Sequence, residues 1–175
     1  LLYLESIRTD SDDADEPKLI ADALWENRFA PAALGGWLDL DLTAHAHQRG
    51  SSLNITGRDM AQLRGTVKWQ RTWTGPAGLR FGASGRLNGD LKEITDDDRF
   101  ESFQAALTPE VSAKLSWPLS KQDTRAFYLV EPLAQLAWTA RDTIDSPNDD
   151  STEVAFGTGN LFAQNRFPGL DRYER

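Results

Sequence analysis

The chain has 175 residues, a formal net charge of −8 and no cysteine. This length suits one ordinary domain with a sizeable core. The acidic balance argues against a nucleic-acid surface, which needs a basic excess, and the lack of thiols excludes disulfides and thiolate metal sites within these residues. No apolar run approaches the roughly 20 residues of a membrane-spanning helix, but a membrane-spanning β-strand needs only about 9–11 residues.

Alternating polar and apolar residues predict β-strands along most of the chain. The first two predicted strands, residues 1–7 and 19–29, flank an acidic loop at 9–17. The later ones cover residues 37–47, 62–73, 79–91, 103–119 and 127–138. From Gln62 to Trp73, polar side chains fill one face, while Leu63, Val67 and Trp69 lie on the other. Alternation over this length favours a strand and argues against a helix.

The connections between these predicted strands alternate in length. Short connections are expected at residues 31–36, 74–77 and 120–124. Longer polar connections are expected at residues 9–17, 48–61 and 93–101, and from about 142 onward. Short turns at one end and long loops at the other are typical of bacterial outer-membrane barrels. A soluble up-and-down meander can show the same alternation by chance.

Prolines and tryptophans qualify this pattern. Pro118 suits a strand end, whereas Pro109 predicts a bulge or two shorter elements, since proline removes a hydrogen-bond donor from the ladder. Trp73, Trp117 and Trp138 lie near predicted strand ends on the apolar face, as in an aromatic girdle at a membrane interface. Aromatic residues of a β-sandwich core are the alternative.

Four cations are candidates for a barrel lumen because they lie on polar strand faces: Arg64, Lys68, Arg80 and Arg86. They could form an electrostatic path for a phosphorylated glycolipid. The favoured interpretation is ordinary solvation together with cross-strand pairing to acids such as Asp90. Arg71 falls on the apolar face, where we expect it near a strand end, reaching for the interface.

No catalytic or metal site is predicted. His45 and His47 are two residues apart and could present two imidazoles to a metal, but the sequence indicates no third ligand, so solvated histidines are favoured. The acid run Asp96 to Asp98 is interpreted as a solvated turn. With two histidines and no nucleophile motif, no hydrolase set can be assembled, and the protein is not expected to be an enzyme.

Residues 146–175 carry aromatic anchors and opposed charges that a disordered tail would lack. The notable positions are Pro147, Asn148, Asp150, Ser151, Asn160, Leu161, Phe162, Arg166, Phe167, Gly169, Asp171 and Arg172. This stretch resembles a motif of the LptD/OstA family of outer-membrane lipopolysaccharide-assembly proteins. Upstream, Glu131-Pro132 resembles the family's Glu-Pro strand, and residues 108–119 resemble the segment before it. Asp149 and Pro168 depart from the family, which has Glu and Ser there.

The resemblance implies the outer-membrane end of the lipopolysaccharide export bridge, without a cofactor. Members of the family join a periplasmic jellyroll to a very large barrel in the outer membrane of Gram-negative cells. The lipoprotein LptE plugs this barrel, and lipopolysaccharide enters the outer leaflet through a lateral opening. The implied partners are lipopolysaccharide, an LptE-like plug, outer-membrane lipid, and an LptA-like periplasmic bridge protein that binds a domain outside these residues.

We therefore expect an all-β fold, an antiparallel up-and-down meander that is part of a large transmembrane outer-membrane β-barrel. Residues 1–175 would be one partial barrel domain, with strands to about residue 142 and a long loop over 143–175. That loop would cap the barrel mouth, held by pairing of its acids with Arg166 and Arg172 and by Phe162 and Phe167 against the wall. Because the chain opens at Leu1 without a methionine or leader and stops inside the motif, we expect a piece of a longer protein.

Two other functions remain open from the sequence. A soluble β-sandwich that binds carbohydrate would expose aromatic residues on a polar face, whereas Trp69, Trp73 and Trp117 lie on apolar faces. An outer-membrane enzyme would need a catalytic set near the barrel mouth, and none is recognisable.

Overall fold

A computed structural model of the chain describes residues 2–3, 17–140, 157 and 160–163. The strands are β1 (Leu2–Tyr3), β2 (Pro17–Phe29), β3 (Trp37–Arg49), β4 (Asp59–Thr74), β5 (Arg80–Thr95), β6 (Phe103–Ser116), β7 (Leu119–Gln122), β8 (Phe127–Val130) and β9 (Leu133–Thr139). A single 3₁₀ turn, Pro76–Gly78, joins β4 to β5. Among the described residues, no helix is long and apolar enough to cross a membrane.

The strands form an antiparallel meander, which confirms the predicted fold class. Strands β1 to β6 pair in chain order, and β9 adds to the free side of β6. Strands β7 and β8 form a separate two-stranded sheet. The described strands do not close into a barrel, because β1 and β9 are the outer strands of this seven-stranded sheet.

The connections follow the predicted alternation. One end of the sheet carries the turn at residues 30–36, the 3₁₀ turn and the β7–β8 hairpin, and the other carries loops at residues 50–58 and 96–102. The strands between them are 13 to 16 residues long from β2 to β6. Strands of globular proteins usually have about 5–6 residues, so these are long enough to cross a tilted membrane span. The two ends are called the turn end and the loop end below.

The prediction that Pro109 bends or divides its strand is wrong. Pro109 lies inside β6 directly opposite Leu87, and the β5–β6 register continues unbroken past it. Its carbonyl accepts a hydrogen bond from the Ala140 N–H at 3.0 Å. Because the N–H and C=O of an antiparallel residue point to the same side, the missing donor faces β9 and not β5. The ladder with β5 therefore loses no hydrogen bond.

The predicted strands over 103–119 and 127–138 are each interrupted. The interruption places Trp117-Pro118 on one side of the hairpin opposite Glu131-Pro132 on the other. In the register of the flanking pairs, Pro132 lies opposite Trp117 and Pro118 lies opposite Glu131, and neither proline has a backbone N–H to donate. The hydrogen bond from the Trp117 N–H to the Pro132 carbonyl, at 3.0 Å, still joins the two segments there. We call this interruption the proline break. Glu131 and Pro132 therefore lie between strands, not within one as the family resemblance implied.

Candidate functional site

The two faces of the sheet have opposite polarity and inverted burial. On the polar face, Asp90, Lys92 and Glu110 are each only 2% exposed, whereas Leu107 on the other face is 56% exposed. Within residues 17–140, Met60 and Ile94 are the only apolar side chains that count as buried core. A water-soluble protein buries its large apolar side chains and keeps charges outside. This sheet does the reverse, as expected of a wall with lipid on one side.

Pairs between neighbouring strands supply hydrogen-bond partners to the side chains of the polar face. Arg64 Nε lies 2.5 Å from Asp90 Oδ1, and these residues are directly paired in β4 and β5. Further along the face, the Ser84 and Ser112 hydroxyls are 2.7 Å apart, again at directly paired positions. Buried polar groups are costly unless they are hydrogen-bonded, so register and polarity must agree on this face. The predicted cross-strand pairing of a polar-face cation with Asp90 is confirmed for Arg64.

One row of the polar face carries a charged residue on each of five neighbouring strands. It consists of Arg28, Asp39, Lys68, Arg86 and Glu110 at directly paired positions. Arg28 is bonded to Asp39 by two contacts, and Arg86 Nη1 lies 3.4 Å from Glu110 Oε2. The row holds three cations and two carboxylates, and each carboxylate pairs with a cation of the neighbouring strand.

The four predicted lumen cations divide into two groups. Arg64, Lys68 and Arg86 lie in the body of the polar face, and Arg80 is the exposed first residue of β5 at the turn end. Whether this face borders a lumen stays a prediction.

Charged residues mark the two borders of the apolar face. Arg71 lies near its turn end, opposite Ala83, and Glu93 lies near its loop end, ten positions further along β5. At about 3.3 Å per residue, the strand between these levels spans roughly 33 Å. A strand tilted by about 40° would give a band about 25 Å tall, which is the height of the apolar band of outer-membrane barrels.

Aromatic rings cluster at the turn end of the apolar face. The Trp69 and Trp73 ring centroids are 6.4 Å apart, and the Trp73 and Phe81 rings stack at 5.5 Å. The Arg71 guanidinium carbon lies 5.0 Å from the Trp73 centroid. Arg71 is three residues from the end of β4, as the sequence predicted.

The connection between β2 and β3 folds against this cluster. Trp69 Nε1 donates to the Gly35 carbonyl at 3.0 Å, and Arg71 Nη1 donates to the Leu34 carbonyl at 2.8 Å. The predicted girdle residue Trp117 is also at this end, where its Nε1 donates to the Ala77 carbonyl at 2.9 Å. Trp138 is near the end of β9 but lies opposite Val111, which pairs with Gly85, so it is inside the band, two residues from the level of Arg71.

Small residues form a depression of about 360 Å³ towards the loop end. Ala21, Ala23, Ala44, Ala46 and Ala61, from β2, β3 and β4, line it, and Leu63, Leu91 and Phe103 rise beside it. These side chains all belong to the apolar face of their strands. The outer surface is therefore uneven near the loop end.

The loops at residues 50–58 and 96–102 are joined to each other. Asn54 Nδ2 donates to Asp98 Oδ2 at 3.1 Å, and Asn54 Oδ1 accepts from the Asp98 N–H at 3.0 Å. The Ile55 N–H donates to the Asp96 carbonyl at 2.7 Å. These contacts couple the β3–β4 and β5–β6 connections at the loop end.

Asp97 is the buried centre of this loop pair. Arg99 donates to its carboxylate from Nε at 2.8 Å and from Nη2 at 2.7 Å, and Arg58 Nη1 lies 3.6 Å away. The hydrogen bonds from Arg99 are the main cause that lowers the pKa of Asp97 to about 2, against the opposing effect of burial. The interpretation of Asp96 to Asp98 as a solvated turn is therefore wrong for Asp97. Arg99, two residues after Asp97, was the available signal in the sequence.

His45 and His47 lie together with Asp22 from the neighbouring strand. His45 Nδ1 is 2.7 Å from Asp22 Oδ1, and His45 Nε2 is 3.4 Å from His47 Nδ1. Within residues 17–140 and the few described positions beyond them, no group of three or more His, Cys, Asp or Glu side chains is arranged to hold a metal ion.

The family motif is described only in part. Asn160 and Leu161 start a turn in which Asn160 Oδ1 accepts from the Gly157 N–H at 2.8 Å. The Phe162 carbonyl accepts from Gln135 Nε2, on the polar face of β9, at 3.1 Å. The other motif residues lie outside the described residues: Pro147, Asn148, Asp150, Ser151, Arg166, Phe167, Gly169, Asp171 and Arg172.

A paired polar face, an exposed apolar band and alternating turns and loops define a class of protein, the outer-membrane β-barrels, of which this sheet has the features of a wall segment. The family model LptD, described as LPS transport system D, matches residues 10–175, so the chain belongs to this family of outer-membrane lipopolysaccharide transport proteins. No curated protein and no solved structure matches the chain.

Proposed function

We propose that these residues form part of the barrel wall of the lipopolysaccharide translocon in the Gram-negative outer membrane, which inserts lipopolysaccharide into the outer leaflet. The inverted burial of the sheet carries this proposal. Leu107, Val111 and Leu136 on the apolar face are each at least half exposed, whereas Asp90 and Glu110 on the polar face are each only 2% exposed. An apolar surface of this extent needs a lipid or protein cover. Lipid on the apolar face leaves the polar face directed to the lumen.

The connections support one orientation of this wall. Outer-membrane barrels place short turns in the periplasm and long loops outside the cell. The turn end, with its aromatic cluster, would then be periplasmic, and the joined loops around Asp97 would face the exterior. The loop over 143–175 would cap the mouth, and part of it would reach down the polar face towards the turn end, where the Phe162 carbonyl contacts Gln135 opposite Lys114.

Paired charges suit passage of an amphiphile with phosphorylated sugars. Arg64 and Arg86 present guanidinium groups on the polar face, but each already has a carboxylate partner. We propose that such pairs keep the lumen hydrated and polar without holding anionic sugars tightly. An LptE-like plug would lie against the same face, and an LptA-like bridge protein would bind a domain outside these residues. The proposed function is transport, without catalysis.

The competing function, a soluble carbohydrate-binding β-sandwich, has less support. A sandwich buries the apolar face of one sheet against a second sheet. Among the described strands, the second sheet consists only of β7 and β8, and Leu107 and Val67 remain exposed.

Cysteine labelling tests the placement of the wall, because the chain has no cysteine of its own. Leu107→Cys and Thr108→Cys are neighbours on opposite faces. A nitroxide at Leu107 should collide more with oxygen, which partitions into lipid, and a nitroxide at Thr108 more with a water-soluble nickel chelate. The wall proposal fails if the label at Leu107 meets the nickel chelate as readily as the label at Thr108.

The orientation and the transport step need separate measurements. A membrane-impermeant maleimide should label Leu53→Cys on intact cells, and should label Ala77→Cys only after the outer membrane is opened. A photo-crosslinking amino acid at Lys68 should capture lipopolysaccharide, whereas the same group at Phe81, on the apolar face of the turn end, is the control. Equal capture at both positions would reject transport along this face and leave the wall placement standing.

A further inference from the structure

Asp22, His45 and His47 form a hydrogen-bonded chain near the loop end of the polar face. Asp22 and His45 are directly paired in β2 and β3, and His47 follows His45 on the same face of β3 because it is two residues further. The side chains of Asp22 and His45 are 70% and 28% exposed. Small solutes can therefore reach Asp22 and His45 from solvent.

The carboxylate sets the tautomer of the first imidazole. Asp22 Oδ1 lies 2.7 Å from His45 Nδ1, so His45 carries its proton there and donates it to the carboxylate. The lone pair of His45 is then on Nε2, which faces His47 Nδ1 at 3.4 Å. A carboxylate behind a histidine, with the other ring nitrogen presented forward, is the usual support of a metal-binding histidine.

The spacing of the two facing nitrogens matches a shared metal ion. In a tetrahedral site with metal–nitrogen bonds of about 2.0–2.1 Å, two ligand nitrogens lie roughly 3.3–3.4 Å apart. The distance between His45 Nε2 and His47 Nδ1 is 3.4 Å. A modest rotation of the rings would direct both lone pairs to one point beside the line that joins them.

We propose that His45 Nε2 and His47 Nδ1 bind a divalent transition-metal ion of the zinc, copper or nickel class, with Asp22 holding His45 in place. Imidazole nitrogen is a preferred ligand of these ions. Binding replaces the hydrogen bond between the rings. In the bound state His47 carries its proton on Nε2 instead of Nδ1, so no proton is lost, and water molecules complete the coordination.

The surroundings permit a cation. Gln62, a neutral residue, lies opposite His45 on β4, and Lys92 follows opposite Gln62 on β5. Lys92 and His45 lie in the same row, two strand spacings of about 4.8 Å apart. The carboxylate of Asp22 is in direct contact with His45, so it offsets the charge of the ion more closely than Lys92 opposes it.

Copper and zinc are the probes for this site. The protein is purified in detergent with a tag that contains no histidine, because His45 and His47 are the only two histidines of the chain. Zn²⁺ should bind at one equivalent by calorimetry, at least tenfold tighter than to His45→Ala or His47→Ala. Asp22→Asn should weaken binding about tenfold, as expected for a partner that orients a ligand. Asp41→Asn, which removes an acid elsewhere on the same face of β3, is the matched control and should bind as wild type.

Two spectra keep the proposal testable if a variant does not fold. The electron paramagnetic resonance spectrum of Cu²⁺ on the wild-type protein should show hyperfine coupling to two imidazole nitrogens, and both histidine signals in the nuclear magnetic resonance spectrum should shift together at one equivalent of Zn²⁺. Coupling to one nitrogen, shifts of only one histidine, or equal affinity of the wild type and the double alanine variant would overturn it.

Discussion

Arg64 Nε lies 2.5 Å from Asp90 Oδ1, and this buried ion pair joins directly opposed positions of β4 and β5. The side chains are 11% and 1% exposed, on a face where Met60 and Ile94 are the buried apolar side chains among the described residues. The pair therefore occupies the place that an apolar contact would occupy in a soluble sheet. Its loss tests whether the polar face stabilises the fold.

Arg64→Met should destabilise the protein by about 3 kcal/mol or more, because it leaves the buried carboxylate of Asp90 without its cation. The double variant Arg64→Met/Asp90→Leu should lose less than the sum of the two single variants. Urea unfolding in lipid vesicles, followed by tryptophan fluorescence, measures all three. Strictly additive losses would show that the two residues do not stabilise each other.

Acidification should loosen the loop end through Asp97. The pKa of this carboxyl is lowered from 3.8 to about 2, so its contribution to stability is complete above pH 3.8 and is lost as the pH falls through about 2. The stability difference between wild type and Asp97→Asn should therefore be constant from pH 7 to about pH 4 and shrink below it. Thermal unfolding across this range measures the difference. A gap that widens on acidification would contradict the assigned ion pair.

Gly36→Ala should destabilise the turn between β2 and β3. Gly36 has a φ of +75°, and a β-carbon there would lie 2.2 Å from the Gln70 carbonyl oxygen. The expected cost exceeds about 1 kcal/mol, since both the backbone conformation and the space oppose alanine. Gly75→Ala is the control, because its φ is −93° and its nearest neighbour would be 3.6 Å away. Equal urea midpoints for the two variants would contradict the turn geometry.

A lysine introduced on the apolar face should lower the stability by an amount that depends on its height in the apolar band. Leu107 lies opposite Gly89, midway between the levels of Arg71 and Glu93, and Phe103 lies opposite Glu93 at the border. Leu107→Lys should cost about 2–4 kcal/mol and Phe103→Lys at most about 1 kcal/mol when the protein is unfolded from lipid vesicles. In a soluble sheet, both exposed positions would accept lysine at little cost. Equal, small effects would therefore argue for water on this face.

The sequence predicted the faces of the strands better than the contacts between them. The polarity of β4 was readable from Gln62 to Trp73 because each side chain alternates strictly across the sheet. Pairing partners depend on register, which the connections set, so the proximity of Asp22 to His45 was not predicted. Burial of Asp97 was missed because it requires two loops far apart in the chain to meet. The Pro109 prediction failed because it did not consider which side of the strand lacks a donor.

The proline break has a consequence for how the β6–β9 hairpin assembles. Its register is the same on both sides of the break, since Ser116 pairs with Leu133 and Leu119 pairs with Val130, three residues further along each strand. The hydrogen bond from the Asp123 N–H to the Ala126 carbonyl closes the tip at 2.9 Å. If pairing begins at this tip, it sets the register of β6 with β9 before β6 pairs with β5. Pairing from the tip acts against a one-residue slip, which would turn the apolar-face side chains of β9 to the polar face.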